Sequence, residues 1–287
     1  MTMKRQFSLA HLTTLALAPP EMTYLAAKAG YDFVSFRLIP VGMAGEPQYL
    51  PQDRVMIRRT RAALAETGLQ LLDLELARIV ENVDPRSYLQ AMEAAAELGA
   101  RHVITSAWTA SRDDRGYLID SFSTLCELAR PLGLTVDFEF PTFSRIASLR
   151  EAADIVAAAG CKNGGILVDM LYMHFARVSV AELAALPPQW FHFAHFCDAT
   201  IDIPTTIEGQ IQIARGERLY PGEGAINLAA IVSTLPDVPL SIELPHTQRA
   251  LELGYEEHAR RSIAAARHYL DTHLPEISVR AAGQIVK

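Results

Sequence analysis

A chain of 287 residues that is 50% hydrophobic and 21% charged, with a net charge of −7, has the composition of a folded globular protein rather than a disordered one. No lysine- and arginine-rich run supplies the basic stripe that a nucleic-acid surface needs. No uncharged apolar run reaches the ~18 residues of a membrane span. Cys126, Cys161 and Cys197 are scattered without CxxC spacing, the usage of a reducing compartment rather than of a disulfide framework.

In chain order, MTMKRQFSLAHLTTLALAPP sets two basic residues before apolar ones, as a signal peptide does. His11 and two threonines interrupt the apolar stretch, so it reads instead as a first strand, QFSLAHL (6–12), and the expected location is cytoplasmic. PPEMTYLAAKAG follows as a helix with proline at its start and Gly30 at its stop. YDFVSFRL (31–38) is the second strand, followed by a charged helix across 51–68. LQLLDLELARI (69–79) leads to an alanine-rich helix, 85–99, and HVITSAW (102–108) to a helix from about 112 to 131.

LTVDFEFP (134–141) precedes the helical ASLREAADIVAAAG. GGILVDML (164–171) precedes SVAELAAL, whose Ser179 is placed to cap a helix by accepting a backbone N–H. WFHFAHFCDA (190–199) opens the longest irregular stretch, 200–224. INLAAIVSTL is a helix, PLSIELP (239–245) the last strand, and GYEEHARRSIAAARHYL the closing helix.

Eight strand-then-helix units without a shift in composition predict an α/β fold, a (β/α)8 TIM barrel forming a single domain over 1–287. Such a barrel takes ~250 residues, and its strands are near-continuous apolar runs because both faces are covered. An open doubly wound sheet is the alternative, but no glycine-rich nucleotide fingerprint follows any strand.

Barrel active sites lie at the C-terminal ends of the strands. Those ends carry His11, Arg37, Glu75, Trp108, Glu139, Asp169, His195 with Asp198, and Glu243 with His246. Singly, a strand-end carboxylate is as readily a helix cap or an arginine partner, and a lone histidine in an apolar strand is more often a hydrogen-bonded core residue. Together, Glu139, Asp169, His195 and Glu243 come from four consecutive strands and form a plausible metal constellation. Three carboxylates and one imidazole suit one harder divalent ion: Mn2+ first, with Mg2+, Co2+ or Zn2+ as alternatives. Such an ion polarises a carbonyl so that the adjacent C–H becomes acidic, and the carboxylates then serve as base and acid.

His192 has the opposite strand parity to His195 and is read as structural. The loop ARGERLYPGEGAIN (214–227) is either an ordinary turn-rich connection or a lid that presents Arg218 to substrate, with Glu223 near a helix N-terminus.

At these residues the sequence resembles the sugar phosphate isomerase/epimerase family, the xylose isomerase-like TIM barrels. VDFEFP, GGILVDMLYMHF, HFAHFCDA, YPGEGAIN and LSIELP follow that family's pattern from its fifth to its eighth strand in order and spacing. The resemblance covers most of the chain and is strongest over about 134–270. It implies a single divalent metal on Glu139, Asp169, His195 and Glu243, with Glu139 and Glu243 doubling as the catalytic proton-transfer pair.

Two departures stand out: Tyr172 occupies a position where many members carry histidine, with His174 two residues on, and His195 replaces the glutamine of some relatives. The family also holds dehydratases of 3-dehydroshikimate and inosose, and apurinic endonucleases whose histidine-rich zinc cluster has no clear counterpart here. The expected activity is isomerisation or epimerisation of a ketose or small polyhydroxy ketone, phosphorylated or not, through a metal-stabilised enediolate. The alternatives are a metal-dependent dehydratase and a non-catalytic sugar-binding barrel. His11, Arg37, Glu75, Trp108, His174, Asp198, Arg218 and His246 are the expected substrate contacts. The expected partner is a small sugar-like molecule, with no nucleic acid or membrane and with self-association left open.

Overall fold

Short apolar runs, each bounded by a capping residue or a glycine, set the elements of this chain. A computed structural model describes residues 5–42, 45–110 and 114–274. The first four residues of the leader-like stretch and the first residues of the helix expected from about 112 lie outside them. The first half runs β1 (Phe7–Leu9), α1 (Pro19–Ala29), β2 (Phe33–Arg37), α2 (Arg54–Thr67), β3 (Gln70–Glu75), α3 (Leu89–Glu97), β4 (His102–Thr105), α4 (Arg115–Ala129), β5 (Thr135–Phe138) and α5 (Leu149–Ala159). The second half runs β6 (Gly164–Ile166), β7 (Val168–Asp169), α6 (Met170–Phe175), α7 (Val180–Ala184), β8 (Ala194–Phe196), α8 (Ile207–Gly216), α9 (Leu228–Thr234), β9 (Leu240–Ile242) and α10 (Thr247–His273).

All pairings are parallel, in the order β6-β5-β4-β3-β2-β1-β9-β8-β7. β6 pairs with β5 and β7 with β8, so the two are halves of one strand position. Leu167 joins them, its N–H donating to the Phe138 carbonyl at 3.2 Å. The fold is the expected TIM barrel.

Local chemistry explains where the helices start and stop. Asp53 and Ser148 accept backbone N–H groups at the heads of α2 and α5, and Ser179 with Glu182 forms a reciprocal capping box on α7, as expected. Each such cap contributes about 1 kcal/mol. Gly30, Gly68 and Gly160 close α1, α2 and α5 in the left-handed conformation that glycine adopts without steric cost.

Two expectations need correction. The sixth strand does not continue to 171, because the Asp169 side chain accepts the Leu171 N–H and starts α6 there. The stretch 200–224 is not wholly irregular: Thr206 accepts the Gly209 N–H and α8 follows. Glycine and glutamine thin the apolar pattern of that helix, which hides its period. The closing helix starts after Gly254, as expected: that residue's non-helical dihedrals (φ 74, ψ 158) separate it from a short preceding helix that begins at Thr247.

Strand alternation sorts the core into two layers. Val34, Phe36, Val103 and Val136 pack outward against the helices. Phe33, Leu72, Ile104, Leu167 and Phe193 form a separate cluster that fills one side of the barrel interior. The other side is polar: Ser8, Ser35, Asp73 and Ser241, all fully buried on β1, β2, β3 and β9. The ends of these same strands carry the side chains of the candidate site.

Candidate metal centre

Glu139 follows β5, Asp169 ends β7, His195 lies within β8 and Glu243 follows β9. All four are buried, and each offers a ligand atom within 4.8 Å of the others. His195 Nδ1 lies 3.2 Å from a Glu243 oxygen, 3.4 Å from Glu139 and 3.9 Å from Asp169. None of these contacts meets hydrogen-bonding geometry, so Nδ1 is an orphaned buried polar atom surrounded by carboxylates. Leaving such an atom unpaired costs roughly 1–3 kcal/mol, and three carboxylates crowded together repel.

Arg218 stands behind the cluster, fully buried. Its Nη1 donates to Asp169 at 2.8 Å, its Nη2 lies 2.7 Å from Glu243, and its Nε donates to the Ala214 carbonyl at 2.9 Å. One guanidinium against three carboxylates leaves two negative charges when His195 is neutral. A divalent cation balances that charge and gives Nδ1 a partner, so the donor set fits the group.

Burial pushes Glu139 up to about 7, with His195 pulling the other way. Burial would raise Glu243 too, but His195 and Arg218 overcome it and hold that carboxylate below its usual range. Glu139, His195 and Glu243 line one cavity, walled by Trp108, Phe143, Tyr172 and Leu12.

Comparison with known proteins gives the family and supports the fold. The family model described as a xylose isomerase-like TIM barrel matches residues 24–269. The chain belongs to the xylose isomerase-like TIM barrel family. Inosose isomerases from Bacillus velezensis and Bacillus licheniformis are 25% and 26% identical to it, each over 75% of this chain and over 77% and 78% of their own. The crystal structure of the IolI protein with a zinc atom superposes with a TM-score of 0.77 at 20% identity, covering 94% of this chain and 100% of that one. D-allulose 3-epimerase from Methylomonas sp. in complex with D-allulose gives 0.66 at 17% identity, covering 93% of this chain and 98% of that one.

In this xylose isomerase-like barrel, Arg37, Glu75 and Trp108, three of the expected contacts, line the cavity. Arg37 is clamped on Glu75, its Nη2 and Nε donating to one carboxylate oxygen at 2.9 and 3.1 Å, with Glu46 3.5 Å away. The other expected contacts face elsewhere. His11 is saturated by the backbone: Nδ1 accepts the Arg37 N–H at 2.8 Å and Nε2 donates to the Leu17 carbonyl at 2.9 Å. Burial lowers His11 to about 4, which keeps it neutral.

Asp198 is a loop anchor rather than a substrate contact. Its carboxylate accepts from the N–H groups of Ala199, Gly222, Gly224 and Ile226 at 2.9–3.1 Å. Gly224 permits that approach, since an added Cβ would collide with the Asp198 carboxylate and the Ala199 carbonyl. Arg218 is not carried on a lid, because it lies beneath the carboxylates it was expected to face across substrate. His174 contacts the Thr200 carbonyl at 3.0 Å and lines a different cavity, and His246 caps α10 through Nδ1. Glu223 accepts the Tyr220 N–H and pairs with Arg249 instead of meeting a helix N-terminus.

Sequence reasoning overlooked several residues that line the cavity, among them Arg78, Phe143, Tyr172 as a wall, and Arg215. Arg78 follows β3 closely enough to have been found by extending the strand-end test by one turn. Arg215 belongs to α8, the helix whose period went unread.

Proposed function

We propose that the protein is a divalent-metal-dependent isomerase or epimerase of a ketose or small polyhydroxy ketone. The observation that carries this reading is the convergence of four buried ligands, Glu139, Asp169, His195 and Glu243, on a common ion position, with Glu139 and Glu243 also lining the cavity beside it. A bound divalent ion supplies Lewis acidity, polarising the carbonyl of a bound substrate. Glu243, kept ionised by Arg218 and His195, is suited to take the proton from the carbon next to that carbonyl. Glu139, raised by burial, is suited to return one to the neighbouring carbon or the opposite face. Tyr172, Phe143 and Trp108 shield the reacting carbon from water, while the Arg37–Glu75 pair offers donors and acceptors to hydroxyl groups.

The named activities of the inosose isomerase relatives support the same substrate class, a polyhydroxylated ring ketone or its open-chain counterpart. The oxygen-rich donor set favours Mn2+, Mg2+ or Co2+, whereas the IolI structure holds zinc, so the test includes Mn2+ and Zn2+. The reconstituted protein is incubated in D2O with a panel of ketoses and inososes, and deuterium incorporation next to the carbonyl is read by mass spectrometry. Exchange and a new isomer are expected with at least one member, and both should vanish in Glu139→Gln and Glu243→Gln. A metal-loaded protein that exchanges no proton of any member refutes the reading.

A further inference from the structure

Beneath the candidate metal centre, three buried polar atoms on three different strands find no hydrogen-bond partner among the described residues: His195 Nε2, Asp73 Oδ2 and Ser241 Oγ. Their placement is coherent. Ser241 is the register partner of His195 on one side and of Ser8 on the other. Ser8 Oγ lies 3.1 Å from Ser35 Oγ, and Ser35 in turn donates to Asp73 Oδ1. These residues line the polar side of the barrel interior, and the chain of contacts leads from β9 around to Asp73 on β3.

Asp73 faces inward because β3 carries an extra residue. Val34 pairs with Leu71 and Phe36 with Leu74, so Ser35 alone opposes both Leu72 and Asp73. A bulge of this kind re-aims a side chain, and here it turns a carboxyl into the interior where simple alternation from Leu72 would turn it out. Asp73 is fully buried, and its electrostatic neighbours include Glu75, Glu243 and His195.

We infer that Asp73 is a positioning residue for His195, acting through a buried water that bridges Asp73 Oδ2, Ser241 Oγ and His195 Nε2. Three polar groups are the number a buried water typically bonds, and without it each orphan would cost roughly 1–3 kcal/mol. The bridge holds the proton on Nε2 and leaves the Nδ1 lone pair for the ion, the arrangement by which outer carboxylates orient metal-binding histidines. The metal role of His195 rests on the function proposed above; the water and the ring tautomer do not.

The test uses full-length protein, as Asp73→Leu, Asp73→Asn and Ser241→Ala. Zn2+ affinity is measured by chelator competition, the His195 tautomer by nitrogen-15 NMR of the apoprotein, and the water by high-resolution crystallography. Asp73→Leu is expected to weaken Zn2+ binding about 10- to 100-fold and to release the tautomer preference. Asp73→Asn, which keeps an oxygen at the bridge, should recover most of both, and Ser241→Ala should give a smaller loss. If Asp73→Leu does not fold, the tautomer in Asp73→Asn and Ser241→Ala and the water in the wild type still decide. A dry interior, or an unchanged tautomer with unchanged Zn2+ affinity in the folded variants, overturns the inference. Wild-type protein that binds no ion but retains the water and an Nε2-protonated His195 refutes the metal reading and leaves the bridge standing.

Discussion

Among the described residues, two clusters of side chains are arranged as a metal site would be, and one of the two is short of partners. Beneath the interior layer, His102, Asp137 and His192 converge as closely as the four residues of the candidate centre. There no fully buried side-chain polar atom is left without a partner. His192 Nδ1 donates to Asp137 at 2.6 Å, Thr135 Oγ1 donates to the other Asp137 oxygen at 2.8 Å, and His102 Nδ1 bonds Thr135 Oγ1 at 2.8 Å. The two imidazoles stack at 5.6 Å, and Gly165 leaves room for them, since a Cβ there would strike Asp137 and the Trp190 carbonyl. One carboxylate serves two imidazoles in that cluster. In the upper one, three carboxylates crowd a single imidazole whose ring nitrogens are both orphaned. Residue types and spacing do not separate a hydrogen-bonded plug from a metal centre; satisfaction and charge balance do.

The sharpest break between the clusters is catalytic. Glu139→Gln or Glu243→Gln in metal-loaded protein is expected to lower kcat by about 10²–10⁴, the range of a lost general acid or base. Asp137→Asn should leave kcat within about twofold, because Asp137 does not line the cavity. Equal losses in a steady-state isomerisation assay would erase the distinction.

Arg218→Met comes next. It strips the guanidinium from Asp169 and Glu243, and breaking a buried pair in this way costs about 3–5 kcal/mol in urea unfolding of the apoprotein. Saturating Zn2+ should recover part of the loss; a change below about 1 kcal/mol would mean that the guanidinium is not what holds the carboxylates together.

Metal binding itself should be one ion per chain by elemental analysis after dialysis. An ion at 100 times its Kd adds about 2.7 kcal/mol of stability, visible as a raised Tm. His195→Ala should abolish the ion, and His192→Ala should retain it. A second equivalent held by the lower cluster would contradict the contrast drawn here.

The smallest effect concerns pH. Burial would lower His192, but the hydrogen bond to Asp137 and its charge outweigh that and raise it. A histidine raised in the folded state contributes stability that is complete below its ordinary pKa of about 6.5 and is lost as pH climbs through the raised value. Urea midpoints followed between about pH 6 and pH 8.5 should therefore fall more steeply in wild type than in His192→Gln. Parallel slopes would show that the Asp137 bond does not depend on the charge of His192.

Much of the upper site was legible because each of its members ends an apolar run. Glu139, Asp169, His195 and Glu243 need only strand order and side-chain alternation to be brought together, and both are written locally. His192 was separable from His195 by parity alone. Asp198 and Arg218 were not legible in the same way. They sit in connections, where no period dictates direction, and only the packed loop reveals that Asp198 gathers four amides and that Arg218 turns under the barrel rim. His11 illustrates a further limit, since its ring is claimed by the backbone of the next strand and of the chain just beyond it.

The sequence by itself determined the alternation of elements, the barrel and the family of the chain, because apolar period, caps and turn residues act over a few neighbouring positions. Only the tertiary structure decided which polar groups are left without partners. That depends on how strands register and connections pack: the single extra residue that turns Asp73 inward, the hand-over from β6 to β7 at Leu167, and the reach of Arg218 to Asp169 and Glu243. A hydrogen bond or a proton affinity is a property of two groups and the medium between them, and distant stretches of chain meet only in the folded barrel.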